Sequence, residues 1–411
     1  MSEYQKVRLG DVLTFQRGFD ITKSEQSEGN VPIVSSSGIA SFHNKWKVKG
    51  PSVVIGRKGT LGTVHFVRGN CWPHDTTLWV KDFKGNIPRF LSYFLQTLKL
   101  ETFDVGSSNP TLNRNHLHKI KVIFPKSLDT QRRIAAILSA YDELIENNKR
   151  RIALLEKVAE EIYREWFVRL RFPGHEKVKV VKGVPQGWTL VKLEQAFKYT
   201  GGGTPAKDVE RYWAGGDVNW FTPSDITGAE GIFLERSGAQ CTEEGFKNSS
   251  AKMFPPYSVM LTSRATIGAV GINITPACTN QGFITCIPNT NYPLPYLYHW
   301  IKLAKPHFES LAVGATFAEL SKGVFKRIEI LTPPEPIMME FVRMESPLLK
   351  AIEHSLCANQ KLIAIRDKLL PRLISGKLSV EDLDIQFPPG MVVEMNGEAF
   401  APATASRKVK K

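Results

Sequence analysis

The spacing of apolar residues changes character along the chain, and the longest regular stretch lies in the middle. From Asp129 to about Arg171 no Gly or Pro occurs until Pro173, and apolar residues recur at Ile134, Leu138, Tyr141, Ile145, Ile152, Leu155, Ala159, Ile162 and Trp166. With Asn148 counted as the one polar member, the steps alternate four and three, which is the heptad of a coiled coil. Asp129 or Thr130 caps the first turn and Pro173-Gly174 stops the helix. At ~1.5 Å per residue the seam spans roughly 50 Å, the length of a ruler.

A second seam follows near the end: Leu349, Ile352, Leu356, Asn359, Ile363, Arg366, Leu370 and Leu373, again spaced by threes and fours. An offset of 211 carries Asn148, Ile152, Ala153 and Lys157 onto Asn359, Ile363, Ala364 and Lys368. Pro347 is expected to start or kink this helix and Pro371 to disturb its last turn, leaving its regular part shorter than the first. Paired antiparallel, the helices bring Asn148 towards Asn359, with Ile152, Leu155, Leu356 and Ile363 as seam neighbours. A buried polar pair of this kind fixes register at some cost in stability.

Ahead of the first helix the pattern is short strands and turns. Val53-Val54-Ile55, Thr63 to Val67 and Thr77 to Val80 read as strands punctuated by glycines, and Pro88 to Lys99 as a helix. Residues 188–335 repeat this region. Gly-Thr-Leu-Gly-Thr-Val from Gly59 returns as Ala-Thr-Ile-Gly-Ala-Val from Ala265, an offset of 206. Gly106, Leu112, Ile120 and Pro125 return at Gly314, Leu320, Ile328 and Pro333 with an offset of 208, and Arg8-Leu9 at Lys192-Leu193 with an offset of 184. The extra residues of the second copy are placed around Ala206 to Phe254. The pattern therefore predicts an α+β chain, two pseudo-symmetric mixed α/β domains separated by a pair of long antiparallel coiled-coil helices. The boundaries are a first domain over 1–126, a central helix over 127–172, a linker over 173–187, a second domain over 188–335, a second helix over 336–385 and a disordered basic tail over 386–411.

Charge narrows the class of partner. Lys and Arg number 54 against 40 Asp and Glu, a net +14, which points to a polyanion. Five cysteines without a CxxC pair (Cys71, Cys241, Cys278, Cys286, Cys357) read as reduced structural thiols rather than a disulfide or zinc frame. No apolar run long enough for a membrane span and no signal-peptide profile occur, so a cytoplasmic protein without membrane contact is expected.

Catalytic parts are missing where a nucleic-acid enzyme needs them. No GxxxxGK[ST] loop is present, and Gly376-Lys377 has Pro371 where the first Gly belongs. Phe254-Pro255-Pro256-Tyr257 superficially matches the Pro-Pro-Tyr motif of adenine-N6 methyltransferases, but Phe254 lacks the polar atoms that hold the target amine, and a turn before a strand is the better reading. Gly201-Gly202-Gly203-Thr204-Pro205 lacks the Lys and helix start of a phosphate loop, so a recognition or turn loop is the better reading. His116 and His118 alternate as on one strand face without a third metal ligand at suitable spacing. No catalytic residue and no metal ligand is assigned.

Donor-rich loops are present instead. Arg57-Lys58-Gly59-Thr60 and Ser263-Arg264-Ala265-Thr266 occupy equivalent places between strands, pairing a cation with a hydroxyl beside a small residue. Arg forks onto guanine or onto phosphate, and small residues admit a backbone close to phosphate. Downstream, His74-Asp75 aligns with Asn280-Gln281, so the side chains differ while the frame persists. Lys45, Trp46, Lys47, Arg114, Lys207, Arg211, Trp213 and Lys322 are further basic and aromatic candidates for DNA contact. Each also reads as a turn residue or a solvated surface charge.

In these features the chain resembles the specificity subunits of Type I restriction-modification systems. The resemblance covers nearly the whole chain and rests on the duplicated architecture and four local matches. These are Glu165 to Gly174 closing the central helix, Val184-Pro185-Gln186-Gly187-Trp188 opening the second domain, Gly202-Gly203-Thr204-Pro205 followed by Tyr212-Trp213 and Trp220, and Leu370 to Leu378 closing the second helix. The resemblance implies two target-recognition domains, each reading one half of a bipartite site in double-stranded DNA. It implies two methylation subunits that bring S-adenosylmethionine and two restriction subunits that use ATP and Mg, with no cofactor in this chain. The interrupted second helix departs from the pattern and implies partner sites of unequal strength. A self-contained DNA methyltransferase or nuclease would instead show methylation or cleavage by the chain alone. A coiled-coil scaffold would bind DNA weakly and with little salt dependence.

Overall fold

The computed structural model describes residues 4–103, 110–314 and 318–391. The chain divides into two compact units, Met1–Asn147 with Asn359–Lys411, and Asn148–Ala358. Gly106 and residues 392–411 of the expected tail lie outside the described residues.

Unit 1 holds β1 (Tyr4–Arg8), β2 (Thr14–Arg17), β3 (Val31–Ser35), β4 (Gly38–His43), β5 (Ser52–Gly56), β6 (Val64–Val67), β7 (Trp72–Pro73), β8 (Thr77–Asp82) and β9 (Lys121–Pro125). A four-stranded sheet runs β2-β8-β5-β6, a three-stranded one β4-β3-β7, and β1 pairs antiparallel with β9. The strands expected near residues 53, 64 and 77 are β5, β6 and β8, and the expected helix forms as Pro88–Gln96. That helix is held by ring packing of Phe90 and Phe94 against Phe124 at 5.6 and 5.0 Å between centroids. His116 and His118 do not alternate on a strand. They lie in and just after the short helix Arg114–Leu117, where Asn113 accepts from Asn115 N and caps the turn. This Asx cap sets the local backbone in place of an extended run.

Unit 2 begins with a small hairpin, β10 (Val180–Val181) against β11 (Val184–Pro185), followed by β12 (Thr189–Lys192), β13 (Lys198–Gly201), β14 (Val218–Phe221), β15 (Phe233–Leu234), β16 (Ala239–Cys241), β17 (Val259–Thr262), β18 (Val270–Asn273), β19 (Ala277–Thr279), β20 (Phe283–Ile287) and β21 (Glu329–Thr332). Its sheets are β13-β20-β17-β18-β15, β16-β14-β19 and β12-β21. Strand for strand these repeat unit 1, down to the parallel pairs β3·β7 and β14·β19. In unit 1, β3 turns directly into β4. In unit 2 the same connection carries the helix Pro223–Thr227 and the added edge strand β15, so the extra residues fall where the offsets place them. Phe254 is buried, and Tyr257 has φ +61° just before β17, which makes Phe254 to Tyr257 a turn.

Two long helices, Leu128–Tyr163 and Glu335–Ile374, contribute to both units. The second has 40 residues against 36 for the first, so its regular part is not the shorter one. Each proline removes one backbone donor. The burial of Leu349, Ile352 and Leu373 outweighs that loss, and Ser375 N still bonds Pro371 O at 3.1 Å. The inference of unequal partner sites loses its basis.

Within each unit the helices run antiparallel. In unit 1 Arg366 Nη1 reaches Asp142 Oδ1 at 2.7 Å, and Asn359, 3% exposed, donates through Nδ2 to Ile145 O at 3.3 Å. Ile363, further along the second helix, is half-buried. In unit 2 Ile152 and Leu356 belong to one core with Leu155 packed against it, and Phe341 meets Tyr163 and Trp166 at 6.0 and 5.9 Å. Asn148 is half-buried. After Tyr163 the helix continues as a π-helical turn, Arg164–Val168, which aims both Trp166 and Phe167 inward. Phe172 and Phe167 then pack at a tilt against Trp188, 4.9 and 5.9 Å between centroids.

The second helix closes on Gly376, φ +73°, where an added Cβ would meet the Tyr4 ring at 2.6 Å. Only glycine suits that combination. Of the first residues of the expected tail, Gln386, Phe387 and Pro389 are exposed and Pro388, Gly390 and Met391 are buried. Met391 is 1% exposed in the core of unit 1, where its apolar side chain is removed from water. Among the described residues no disulfide forms, Cys71, Cys241, Cys278 and Cys286 are buried, and burial pushes the Cys71 thiol up to about 11.

Candidate nucleic-acid interface

The donor-rich loops sit on one frame built twice. Gly56 N donates to Thr63 O at 2.8 Å and Gly62 N to Gly56 O at 2.9 Å. Their counterparts are Thr262 N to Ala269 O at 2.9 Å and Gly268 N to Thr262 O at 3.0 Å. Leu112 N closes onto Arg57 O at 3.0 Å, as Leu320 N does onto Ser263 O at 2.9 Å. Gly59 and Ala265, which occupy the same point, both take left-handed backbone, φ +75° and +61°. Glycine does so freely and alanine under strain. A second crossing fixes the next loop. Phe19 N bonds Pro73 O and Gly203 N bonds Thr279 O, at 2.8 and 2.9 Å. Gly18 and Gly202 press so closely that an added Cβ would lie 2.0 Å from His74 O or Asn280 O.

In unit 1 this frame gathers Arg57, Lys58 and His74 around Thr76 and Asp75. Arg57 N and Lys58 N both donate to Thr76 O at 2.9 and 3.0 Å, and Arg57 Nη1 donates to Asp75 O at 3.2 Å. Burial, and then the charge of Arg17, lower the Arg57 pKa. Arg17 was not among the sequence candidates. Its Nη2 meets Asp75 Oδ2 at 2.9 Å, and the other carboxylate oxygen lies 3.1 Å from His74 Nδ1. Asp20, His74 and Asp75 bring possible ligand atoms within 4.8 Å, but Arg17 and His74 already face both Asp75 oxygens, leaving neither oxygen open. Lys58 and Thr60 are exposed in the loop. Lys47 lies 4.9 Å over the Trp72 ring, Lys45 and Trp46 are exposed beside it, and Arg114 is exposed on its short helix.

Unit 2 carries different chemistry on the same frame. Arg264 pairs with Glu319 at 2.8 Å, both partly exposed, a link worth about 0–1 kcal/mol and easily exchanged for a ligand. Thr266 is exposed next to it. Asn280 Oδ1 accepts from Gly282 N at 2.9 Å, and Gln281 Oε1 accepts from Thr204 Oγ1 at 2.6 Å. The Gly201–Pro205 run is thus a loop packed against Asn280-Gln281, and Trp220 Nε1 fastens it by donating to Gly203 O at 2.8 Å. Lys322 lies over Gly201, Lys207 stands 5.8 Å over the Trp220 ring with Trp213 edge-on to it, and Arg211 pairs with Glu244 at 2.9 Å. Glu319, like Arg17, is absent from the sequence candidates, whereas Thr204 belongs to the run read as a recognition or turn loop. The β2 offset of 184, carried to Gly201, was the signal that could have found Arg17.

Comparison with known proteins agrees with this duplication. The family model described as "Type I restriction modification DNA specificity domain" matches residues 1–157 and 185–362. The Type I restriction enzyme MjaIX specificity subunit of Methanocaldococcus jannaschii is 30% identical over 243 residues, covering 57% of this chain and 56% of the relative, so the match spans about half that protein's length. A putative type I specificity subunit of Mycoplasma pneumoniae is 24% identical over 374 residues, 88% of this chain and 93% of the relative. The crystal structure of a Type-I restriction-modification S subunit from M. genitalium shares the fold with a TM-score of 0.63 at 17% identity, covering 90% of this chain and 96% of that one.

Proposed function

From the premise that the chain belongs to the Type I restriction-modification DNA specificity family, we propose that it reads an asymmetric, two-part site in double-stranded DNA, one half-site per unit, and directs methylation and restriction subunits to it. The observation that carries this reading is the frame built twice with unlike side chains on it: cations around Asp75 in one unit, amides and Lys322 in the other. Backbone and lysine donors suit phosphates, which position, while Arg57, Arg264, His74, Asn280 and Gln281 are of the types that read base edges.

The chain does no chemistry itself in this reading. S-adenosylmethionine enters with two methylation subunits, and ATP and Mg with two restriction subunits. Exposed apolar residues on the long helices, Leu154 and Val158 in unit 2 and Leu144 and Ile365 in unit 1, support docking of protein partners on the faces turned away from the seam. Among the described residues no helix is long and apolar enough to cross a membrane, and a DNA substrate fits a cytoplasmic location.

A map of methylated adenines in cells carrying this chain and its methylation partner tests the proposal. A two-part motif with a fixed gap is expected, and scattered or absent methylation would sink it. Arg57→Ala or Lys58→Ala is expected to weaken one half-site and Arg264→Ala the other. Equal loss on all sequences would reduce these residues to phosphate contacts.

A further inference from the structure

We propose that Arg17 is the base-reading side chain of unit 1, that it recognises a guanine, and that Asp75 is its positioning residue. The proposal rests on the DNA-recognition reading above and deepens it.

Strand register makes Arg17 and Gly201 the same position. Arg17 stands opposite Leu78 in β8, and Gly201 opposite Ile284 in β20. The residue after each is the glycine pressed against the facing loop carbonyl, Gly18 on His74 and Gly202 on Asn280. Unit 1 has a guanidinium at this point and unit 2 has no side chain. Yet unit 2 supplies a cation there all the same: an added Cβ on Gly201 would lie 1.8 Å from Lys322 Nζ. Lys322 comes from the start of a short helix far along the chain. The Lys322 ammonium thus stands where the Arg17 side chain leaves the strand in unit 1, so both units carry a cation at this position of the shared frame, as an electron-rich ligand there would require.

The two cations differ in what they can discriminate. An ammonium is a point charge, whereas a guanidinium is a planar fork that matches the O6 and N7 acceptors of guanine in the major groove. Asp75 decides between guanine and phosphate for Arg17. Its carboxylate, 2.9 Å from Nη2 and far less exposed than the arginine (19% against 54% of the side chain), fixes the plane of the fork. The same negative charge repels a phosphate, while the neutral acceptors of a base tolerate it. Arg57 is the less suited reader, since Asp75 O occupies its Nη1 and it is partly buried.

The test is selection of sequences from a pool of randomised duplexes by the complex of this chain with its methylation partner. For the wild type, a two-part consensus with a guanine in the half-site read by unit 1 is expected. Arg17→Lys keeps the charge and removes the fork. It is expected to lower the preference for that guanine about tenfold or more, leaving the other half-site and the salt dependence unchanged. Arg17→Gln is expected to move the preference at that position towards adenine, the base that a side-chain amide pairs bidentately. Asp75→Asn should relax the same position and leave the other half-site unchanged. An unchanged consensus in Arg17→Lys and Arg17→Gln, or equal weakening on all duplexes, overturns the assignment while leaving the DNA-recognition reading intact. A wild-type complex that enriches no two-part sequence overturns both.

Discussion

The two units are the same backbone furnished twice. Gly18 and Gly202 make the same close approach, Gly56 and Thr262 the same turn, and Tyr93 and His299 stand at the same place on equivalent helices. Each of the last two bonds a carboxyl group on the long helix that follows it, Tyr93 to Asp142 and His299 to Glu345, at sequence separations of 49 and 46. The difference of three residues is about one helical turn, so the contact has moved along the helix without leaving its face. Main-chain hydrogen bonds and glycine contacts recur because they fix where the loops stand. Side chains carried on the loops or locking the domain to its helix vary, because several chemistries satisfy the same geometry. Duplication kept the frame and released the surface.

The largest test of that equivalence is at the paired glycines. Gly18→Ala and Gly202→Ala each force a backbone to move, at a cost of about 2 kcal/mol or more, and the two costs should agree. Urea unfolding followed by hydrogen exchange resolves the units, and a marked inequality would show that the frames are not equivalent.

Next come the helix contacts. Tyr93 shares Asp142 with Arg366, whereas His299 and Glu345 are 1% and 0% exposed and leave His299 Nδ1 and Glu345 Oε1 without partners. His299→Leu strands the buried carboxyl group and is expected to cost roughly 2 kcal/mol, with Glu345→Met added to it restoring most of the loss. A double variant no better than the single would mean that the pair matters for shape rather than for polarity.

A smaller effect is expected at the left-handed loop residue. Ala265→Gly should stabilise unit 2 by about 1 kcal/mol and Gly59→Ala should destabilise unit 1 by a similar amount. Opposite signs in denaturation are the signature, and equal signs would refute the shared backbone there.

The smallest effect is a pH dependence confined to unit 1. His118 Nε2 accepts from Phe15 N at 2.9 Å, so its neutral form is the bonded one, while burial, then Arg114 and Lys84, lower its pKa. The unfolded histidine, near pH 6.5, therefore takes up its proton first. Stability should be full above that pH and fall as pH drops through about 6.5 towards the lower folded pKa. Unit 2 has Lys326 at the equivalent position, so His118→Gln should flatten only the response of unit 1 between pH 7.5 and 5.5, read by hydrogen exchange.

Much of this was written in the order of residues. The heptads from Ile134 and Leu349 and the strands near 53, 64 and 77 required only local periodicity, while the placing of Arg57 and Arg264 on matched loops required the repeat at an offset of 206. The second helix was misjudged at Pro347 and Pro371 because local propensity says nothing of the packing that overrides it. His116 and His118 were misread because an alternating pair does not reveal an Asx cap.

What the sequence by itself determined is the duplicated mixed fold, the two long helices, the family and a net charge of +14. Those follow from side-chain period, composition and repetition, which are legible in the linear order of residues without knowing their contacts. Only the tertiary structure decided which charges stand together: Arg17 with Asp75, Arg264 with Glu319, Lys322 over Gly201. These pairs are 58, 55 and 121 residues apart (75 − 17, 319 − 264, 322 − 201). Strand pairing brings such residues together, and no local pattern encodes which distant loop a given cation will face.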